Sequence, residues 1–165
     1  MNNNLKNNIP LIANNNLTEE EKELILKNTS ISFIKKNEYV IQLNHRPLGL
    51  ICLLAGKVKI FQEGYSNREQ ILRLAKPGGY IGYRALFAGQ NYAAAAIAIE
   101  DSIIGTIKKE ILFDVLQKNP KATFELLKDL ANELGVSNLR TISLTQKHLR
   151  GRLAEALIFI ANTYG

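Results

Sequence analysis

The sequence predicts a mainly β protein, an all-β barrel or double-sheet roll with flanking helices, followed by one long helix. Short β-branched and aromatic runs recur between Ser30 and Ile107 with turn residues between them, which points to many closely spaced strands. From Lys118 to about His148 a different period takes over. Leu127, Leu134, Thr141 and His148 recur every seven residues, and Leu130, Ser137 and Leu144 follow three places after each, so one narrow stripe persists for about three heptads. A last apolar segment, Arg150 to Tyr164, closes the chain.

Residues 1–16 are crowded with asparagine and read as a flexible lead-in without the apolar centre of a signal peptide. Thr18 and Glu21 have the capping-box spacing, and Glu19, Glu20 and Glu21 suit the positive end of a helix dipole, so a short helix to about Lys27 is expected. Ile31, Phe33, then Tyr39, Val40, Ile41 and Leu43 read as strands broken at Lys36-Asn37. Leu48 to Leu54 is a third run. It reaches Gly56, read as a bulge or a close backbone approach, before Val58 and Ile60 alternate with Lys57 and Lys59. Glu63-Gly64-Tyr65-Ser66-Asn67 is a hairpin turn by composition, returning through Gln70 to Leu74 and ending at Lys76-Pro77-Gly78-Gly79. Tyr80 to Phe87 holds room for only one or two helical turns behind Gly82; strands resume at Tyr92 to Ile99 and Ser102 to Ile107, and Lys109 to Leu116 reads as a helix. Pro120 suits a first helical turn. The long helix has Lys121, Glu125 and Asp129 on its outward face and a polar centre at Gly135, Ser137, Asn138 and Thr141. A symmetric dimer seam is expected along it, through Leu127, Leu130, Leu134, Ser137, Thr141 and Leu144.

Composition bounds the function. The chain has 165 residues, 46% hydrophobic and 22% charged, enough for one domain with a sizeable core plus an appendage. The formal charge of +6 suits an anionic partner such as nucleic acid but is scattered along the chain. The single cysteine, Cys52, excludes an internal disulfide and a multi-cysteine metal site, and a buried thiol in a reducing compartment is expected. The longest apolar runs, Leu48 to Ala55 and Ala93 to Ile99, are far short of the ~20 residues of a membrane span. A cytoplasmic protein without membrane contact is the expectation. His45 and His148 are the only histidines and lie far apart in the chain, so a two-histidine metal centre of cupin type is not expected. No G-x-S-x-G, Walker loop or Cys/His nucleophile pair occurs, and neither an enzyme nor a catalytic residue is predicted.

The order of these elements resembles the Crp/Fnr family of bacterial transcription regulators. Leu50 to Ile60, with Gly56 inside it, looks like that family's strand–glycine–strand signature. Pro77-Gly78-Gly79-Tyr80-Ile81-Gly82 is similar to the start of its phosphate-binding cassette, and Asn119-Pro120 to the opening of its dimer helix. Gly151-Arg152-Leu153-Ala154-Glu155-Ala156-Leu157 is similar to the first helix of its winged helix-turn-helix domain. The resemblance implies a double-stranded β-helix, a jelly-roll-like cyclic-nucleotide-binding-like domain over residues 17–117 that binds an effector. It implies a dimerisation helix over 118–148 and, over 149–165, the first helix of a truncated winged helix-turn-helix domain. The implied protein is a homodimer that meets promoter DNA through the missing C-terminal part, with RNA polymerase as a further partner. A ligand-binding regulatory module or subunit without DNA binding is the alternative.

The resemblance also fixes the candidate effector residues as Gly82, Tyr83, Arg84, Tyr92, Ala93, Ser137 and Asn138. Cyclic-AMP-binding members place Glu after the cassette glycine and Arg followed by Ser or Thr after the short helix; the aligned positions here are Tyr83, Tyr92 and Ala93. A phosphate deprived of its guanidinium loses charge-assisted hydrogen bonds of about 1.5–3 kcal/mol each, so strong cyclic AMP binding is not expected. Arg84 is a substitute anion ligand only if it turns inward, and the expectation is that it points to solvent or pairs locally. Tyr80, Tyr83 and Tyr92 leave two readings open: an aromatic pocket for a planar or apolar effector, or rings that fill the space a nucleotide occupies elsewhere. No metal and no resident cofactor are predicted.

Overall fold

The computed structural model describes residues 8–13, 16–64 and 68–164. Its strands are β1 Thr29–Ile34, β2 Tyr39–Ile41, β3 Gly49–Ala55, β4 Val58–Glu63, β5 Glu69–Ala75, β6 Tyr80–Ile81, β7 Ala95–Ala98 and β8 Ser102–Lys108. They form two antiparallel four-stranded sheets, ordered β1-β8-β3-β6 and β2-β7-β4-β5. The pairing is nested. β1 meets β8, β2 meets β7, β3 meets β6 and β4 meets β5, as in a long hairpin rolled into two sheets, so the expected jelly roll is present. The central turn of that hairpin is closed by Gly64 N donating to Arg68 O at 2.9 Å; Tyr65, Ser66 and Asn67, assigned to the turn from sequence, lie outside the described residues. Lys36-Asn37 does turn the chain, with Asn37 in the left-handed region at φ 70° that asparagine tolerates.

The inner faces enclose Ile41, Ile51, Leu53, Val58, Ala75, Ile81, Ala96 and Ile104, joined by Tyr92 and by Ala85 of a short helix. β3 is buried from Gly49 to Leu54, which explains its unbroken apolar run: one face meets this core and the other is covered. The cover includes the helix Lys109–Lys118, which packs on β3 and buries Leu112, Val115 and Leu116. Asn8 adds to it, its side-chain amide donating to Leu54 O at 3.1 Å. Part of the stretch read as a lead-in is thus ordered. A helical turn, α1 Pro10–Ala13, follows Asn8 with Leu11 and Ile12 buried, and Ile9 before it is fully buried; three apolar residues among the asparagines supply the burial.

α2, Glu19–Lys27, starts at the expected capping box. Thr18 Oγ1 accepts from Glu21 N at 3.2 Å and Glu21 Oε2 accepts from Thr18 N at 2.8 Å. The short helix behind Gly82 is α3, Tyr83–Ala88, and the helix on β3 is α4, Lys109–Lys118. Phe87 of α3 meets Phe113 of α4 edge to face at 5.7 Å. The strand expected over Tyr92 to Ile99 is shorter, since Tyr92 and Ala93 precede β7 and the Tyr92 ring turns into the core.

Gly56 is a close approach. Its φ is +91°, and a Cβ there would lie 2.3 Å from Ser102 Oγ, a hydroxyl that donates to Glu100 O at 2.8 Å and accepts from Lys57 N at 3.2 Å. Gly56→Ala is expected to cost about 2–4 kcal/mol, from left-handed strain plus overpacking, read as a lower denaturation midpoint at unchanged slope.

Cys52 is completely buried in β3, and burial pushes its thiol from 9.0 up to about 12. The folded value lies above the unfolded one, so this contribution is whole below the unfolded value and drains away as pH rises toward the folded one. Above pH 9.0 stability should fall by up to ~1.4 kcal/mol per pH unit. Cys52→Ala should flatten that alkaline slope in pH-dependent melting curves, leaving the part due to Tyr92, whose hydroxyl burial also pushes up.

The chain divides after Asn119 into two units. In the first, Asn119 Nδ2 donates to Asn16 O and Glu21 Oε2, each at 2.8 Å. The helix expected from Lys118 starts two residues later, as α5, Pro120–Gln146, because a residue before proline is pushed out of helical geometry and Asn119 has φ −120°, ψ 88°. The second unit consists of α5 and α6, Leu149–Tyr164. α5 is one unbroken helix of 27 residues, roughly 40 Å long. Leu127 and Leu134 are 58% and 62% exposed, Leu130 is half-buried, and Ser137 and Asn138 are exposed; the side chains of Thr141 and Leu144 lie outside the described residues. Lys147, in the link after α5, pairs as an ion with Glu155 of α6.

Candidate effector site

Gly82 sets the geometry. It adopts φ +70° and ψ 8°, turning the chain from β6 directly into α3, and Gly89 at φ +65° ends that helix. A Cβ at Gly82 would lie 2.5 Å from both Ile41 Cδ1 and Tyr92 Cε1, so only glycine lets this turn press against the ring. Tyr92 is 8% exposed. Its backbone is fastened to the loop after β2, with Tyr92 N donating to His45 O and Asn44 N donating to Tyr92 O, both at 2.9 Å. Of the two readings of the tyrosines, the observed packing at Tyr92 is that of a ring filling the roll. Tyr80 is also buried.

The other candidates divide. Tyr83 is half-buried at the start of α3, whereas Arg84 and Ala93 are exposed. Gly82 and Tyr92 are therefore brought together, and Arg84 and Ala93 are not drawn into the interior. Ser137 and Asn138 belong to the second unit, exposed on α5. A surface recess of about 350 Å³ is walled by Tyr39, Gln42, Leu43, Phe61 and Glu63 among others, and Gly82, Tyr83 and Tyr92 are not in its walls. Among the described residues, no three His, Cys, Asp or Glu side chains are grouped to hold a metal ion.

Sequence reasoning missed Arg73. Across the second sheet Arg73 lies opposite Ile60, Ile60 opposite Ala96, and Ala96 opposite Ile41. Side chains in one such row share a face. Ile41 and Ala96 belong to the interior cluster and Ile60 packs against it, so Arg73 stands on the inner face of the roll. Its guanidinium carbon lies 5.8 Å from the Tyr83 ring centroid, within cation–π range. Alternation along β5 would have exposed the placement but for an irregularity between Ile60 and Phe61, where the partner jumps from Arg73 to Ile71 and skips Leu72.

Nested antiparallel pairing, with a glycine-led helical turn inserted before β7, defines a β-roll of the cyclic-nucleotide-binding type. The chain belongs to the cyclic nucleotide-binding domain family, whose model matches residues 31–119. It is 24% identical over 131 residues to the regulatory protein HlyX of Actinobacillus pleuropneumoniae, covering 79% of this chain and 54% of that one. It is 28% identical over 109 residues to the cyclic AMP receptor protein of Thermus thermophilus, covering 66% and 50%. Among solved structures, the sensor domain of the transcriptional regulator DNR from Pseudomonas aeruginosa matches with a TM-score of 0.70 at 21% identity, over 88% of this chain and 95% of that one, which is a likeness of fold. The chain spans about half the length of those two curated relatives. Its relatives are Crp/Fnr-type regulators, and the part it shares with them includes a cyclic nucleotide-binding domain. Among the described residues no helix is long and apolar enough to cross a membrane.

Proposed function

We propose that this chain is the sensing and dimerising portion of a cytoplasmic Crp/Fnr-like transcription regulator that acts as a homodimer. The observation that carries the reading is α5, an unbroken helix whose Leu127 and Leu134 are more than half exposed in the single chain. An apolar stripe left in water on a helix of this length is the surface a second copy covers. The seam runs through Leu127, Leu130, Leu134, Ser137, Thr141 and Leu144, with Ser137 and Asn138 setting register or meeting the effector. α6 belongs to a further domain, the winged helix-turn-helix. In support, Leu149, Leu153, Leu157 and Ile160 form one helical stripe, each 48% exposed or more. Sequence-specific DNA contact needs an element that enters the major groove, so it is assigned to that domain, along with promoter choice and any contact with RNA polymerase.

Cyclic AMP is not the effector in this reading. Support comes from the buried Tyr92 ring against Gly82 and from the exposed Arg84. The domain acts by shifting the paired helices between two arrangements, which requires an effector with different affinity for each. Sedimentation equilibrium of the chain is the test, with a particle of twice the chain mass expected; a monomer persisting to ~100 µM, where even a weak seam would associate, sinks the reading. Cyclic AMP should leave the melting temperature unchanged, whereas a binding ligand at 100 times its dissociation constant adds about 2.7 kcal/mol of apparent stability.

A further inference from the structure

We infer that the surface recess walled by Tyr39, Gln42, Leu43, Phe61 and Glu63 among others is a binding site for a small organic ammonium, a protonated amine with a short apolar body. The site lies outside the interior of the roll and goes beyond the regulator reading. Sheet register puts its parts on one outer face. Ile60 belongs to the inward row, and side chains alternate along a strand, so Lys59, Phe61 and Glu63 of β4 stand on the opposite face. Tyr39 joins them, because it lies opposite Ile97 and Ile97 lies opposite Lys59. At about 350 Å³ the recess has the size of a small-ligand pocket; Phe61 and Ala95 in its walls are buried, while Tyr39 and Leu43 remain exposed to meet a ligand. Charge decides the class of that ligand. Glu63 of β4 lies directly opposite Glu69 of β5, and like charges in that position repel. The sheet answers one of them: Lys59 pairs with Glu69, and its ammonium sits 4.5 Å from the Phe61 ring centroid. The Glu63 carboxylate has no hydrogen-bond or ion-pair partner among the described residues, and none of the described wall residues is a cation. An ammonium on Glu63, with its apolar body along Tyr39 and Leu43, repeats at Glu63 what Lys59 does for Glu69, and the same carboxylate turns anions away.

The test is a proton–nitrogen correlation titration of the whole chain with phenethylamine at neutral pH, with phenethyl alcohol as the uncharged counterpart and ionic strength held constant with sodium chloride. Saturable shifts of the Tyr39, Leu43 and Glu63 amides are expected, at a dissociation constant of ~1 mM or tighter. Phenethyl alcohol should bind about tenfold more weakly, because it forfeits both the ion pair and the cation–π contact. Glu63→Gln should weaken the amine about fivefold and Tyr39→Ala about threefold, while Glu23→Gln, which removes a carboxylate from α2, should leave it unchanged. No saturation by ~20 mM, equal binding of amine and alcohol, or shifts confined to other parts of the chain overturns the inference, and so does a Glu63→Gln chain that binds as tightly as wild type. The comparison of the two ligands is made on the wild-type chain and stands whether or not a variant folds.

Discussion

Replacing Leu127 and Leu134 together by aspartate is expected to turn a dimer into a folded monomer. Both side chains are more than half exposed within one chain, so the monomer loses little beyond the poorer helix propensity of aspartate, about 0.5 kcal/mol per site. In a paired seam the same change is felt in both copies. Each leucine removed forfeits about 2 kcal/mol of burial, and each carboxylate introduced must be desolvated or pushed back into water beside its symmetry mate. The dimer dissociation constant should rise by ~10⁴-fold or more, while the circular dichroism of the roll stays the same. Asp129→Asn, on the face predicted to point outward, should change neither. Sedimentation equilibrium reads the outcome, and an unchanged dimer in the double aspartate variant would move the seam to another face of α5.

How much of this was legible beforehand depends on whether a residue's placement is decided locally. The capping box at Thr18 and Glu21 and the turn at Lys36-Asn37 follow from residue types that have few alternatives, and each appears where the sequence puts it; at Gly56 the sequence leaves a bulge or a close approach open, and the structure shows the close approach. The split between α4 and α5 was half legible. Pro120 was read as a tolerated first-turn residue, but its effect on Asn119 moves the helix start, and a side chain that can reach Asn16 and Glu21 then holds the break. Long-range pairing was less accessible. Arg73 reads as the polar partner in an ordinary alternation until the skipped residue Leu72 is known, and that irregularity shows only in the pairing of β5 with β4. The same holds for Ile9, Leu11 and Ile12. Their asparagine-rich surroundings argue for disorder, and only a roll that already exists offers them a surface to bury against. Tyr92 lies buried in the interior cluster, yet the two roles its sequence context leaves open differ only in whether other atoms occupy the space around it, which no local pattern encodes.

Tyr92→Ala is expected to cost about 3–5 kcal/mol, the loss typical of removing a buried aromatic side chain and leaving part of its volume empty. A tyrosine lining a hydrated pocket would behave differently: water already wets one face of such a ring, and its removal would cost under about 1 kcal/mol. The two cases are therefore well separated in a urea melt followed by near-ultraviolet circular dichroism of the roll. Tyr92→Phe separates packing from the hydroxyl. It keeps the ring against Ile41 and Gly82, so it should stay within about 1 kcal/mol of wild type at neutral pH. Above pH 10.0 the phenylalanine variant should gain on wild type. Burial pushes the Tyr92 hydroxyl above its unfolded value, so its ionisation drains stability from the wild-type fold alone as pH climbs. Gly82→Ala probes the same contact from the other side, since its methyl group would sit 2.5 Å from the Tyr92 ring at a backbone angle of +70°. Coupling follows from that distance. In Tyr92→Ala the ring is gone and the added methyl keeps only its close contact with Ile41 Cδ1, at 2.5 Å, a flexible side-chain end that can move into the vacated space, so the double variant should be less destabilised than the two single losses added together. Additive losses would mean that Gly82 and Tyr92 do not share the space, and the filled-roll account of why cyclic AMP is excluded would fail with them.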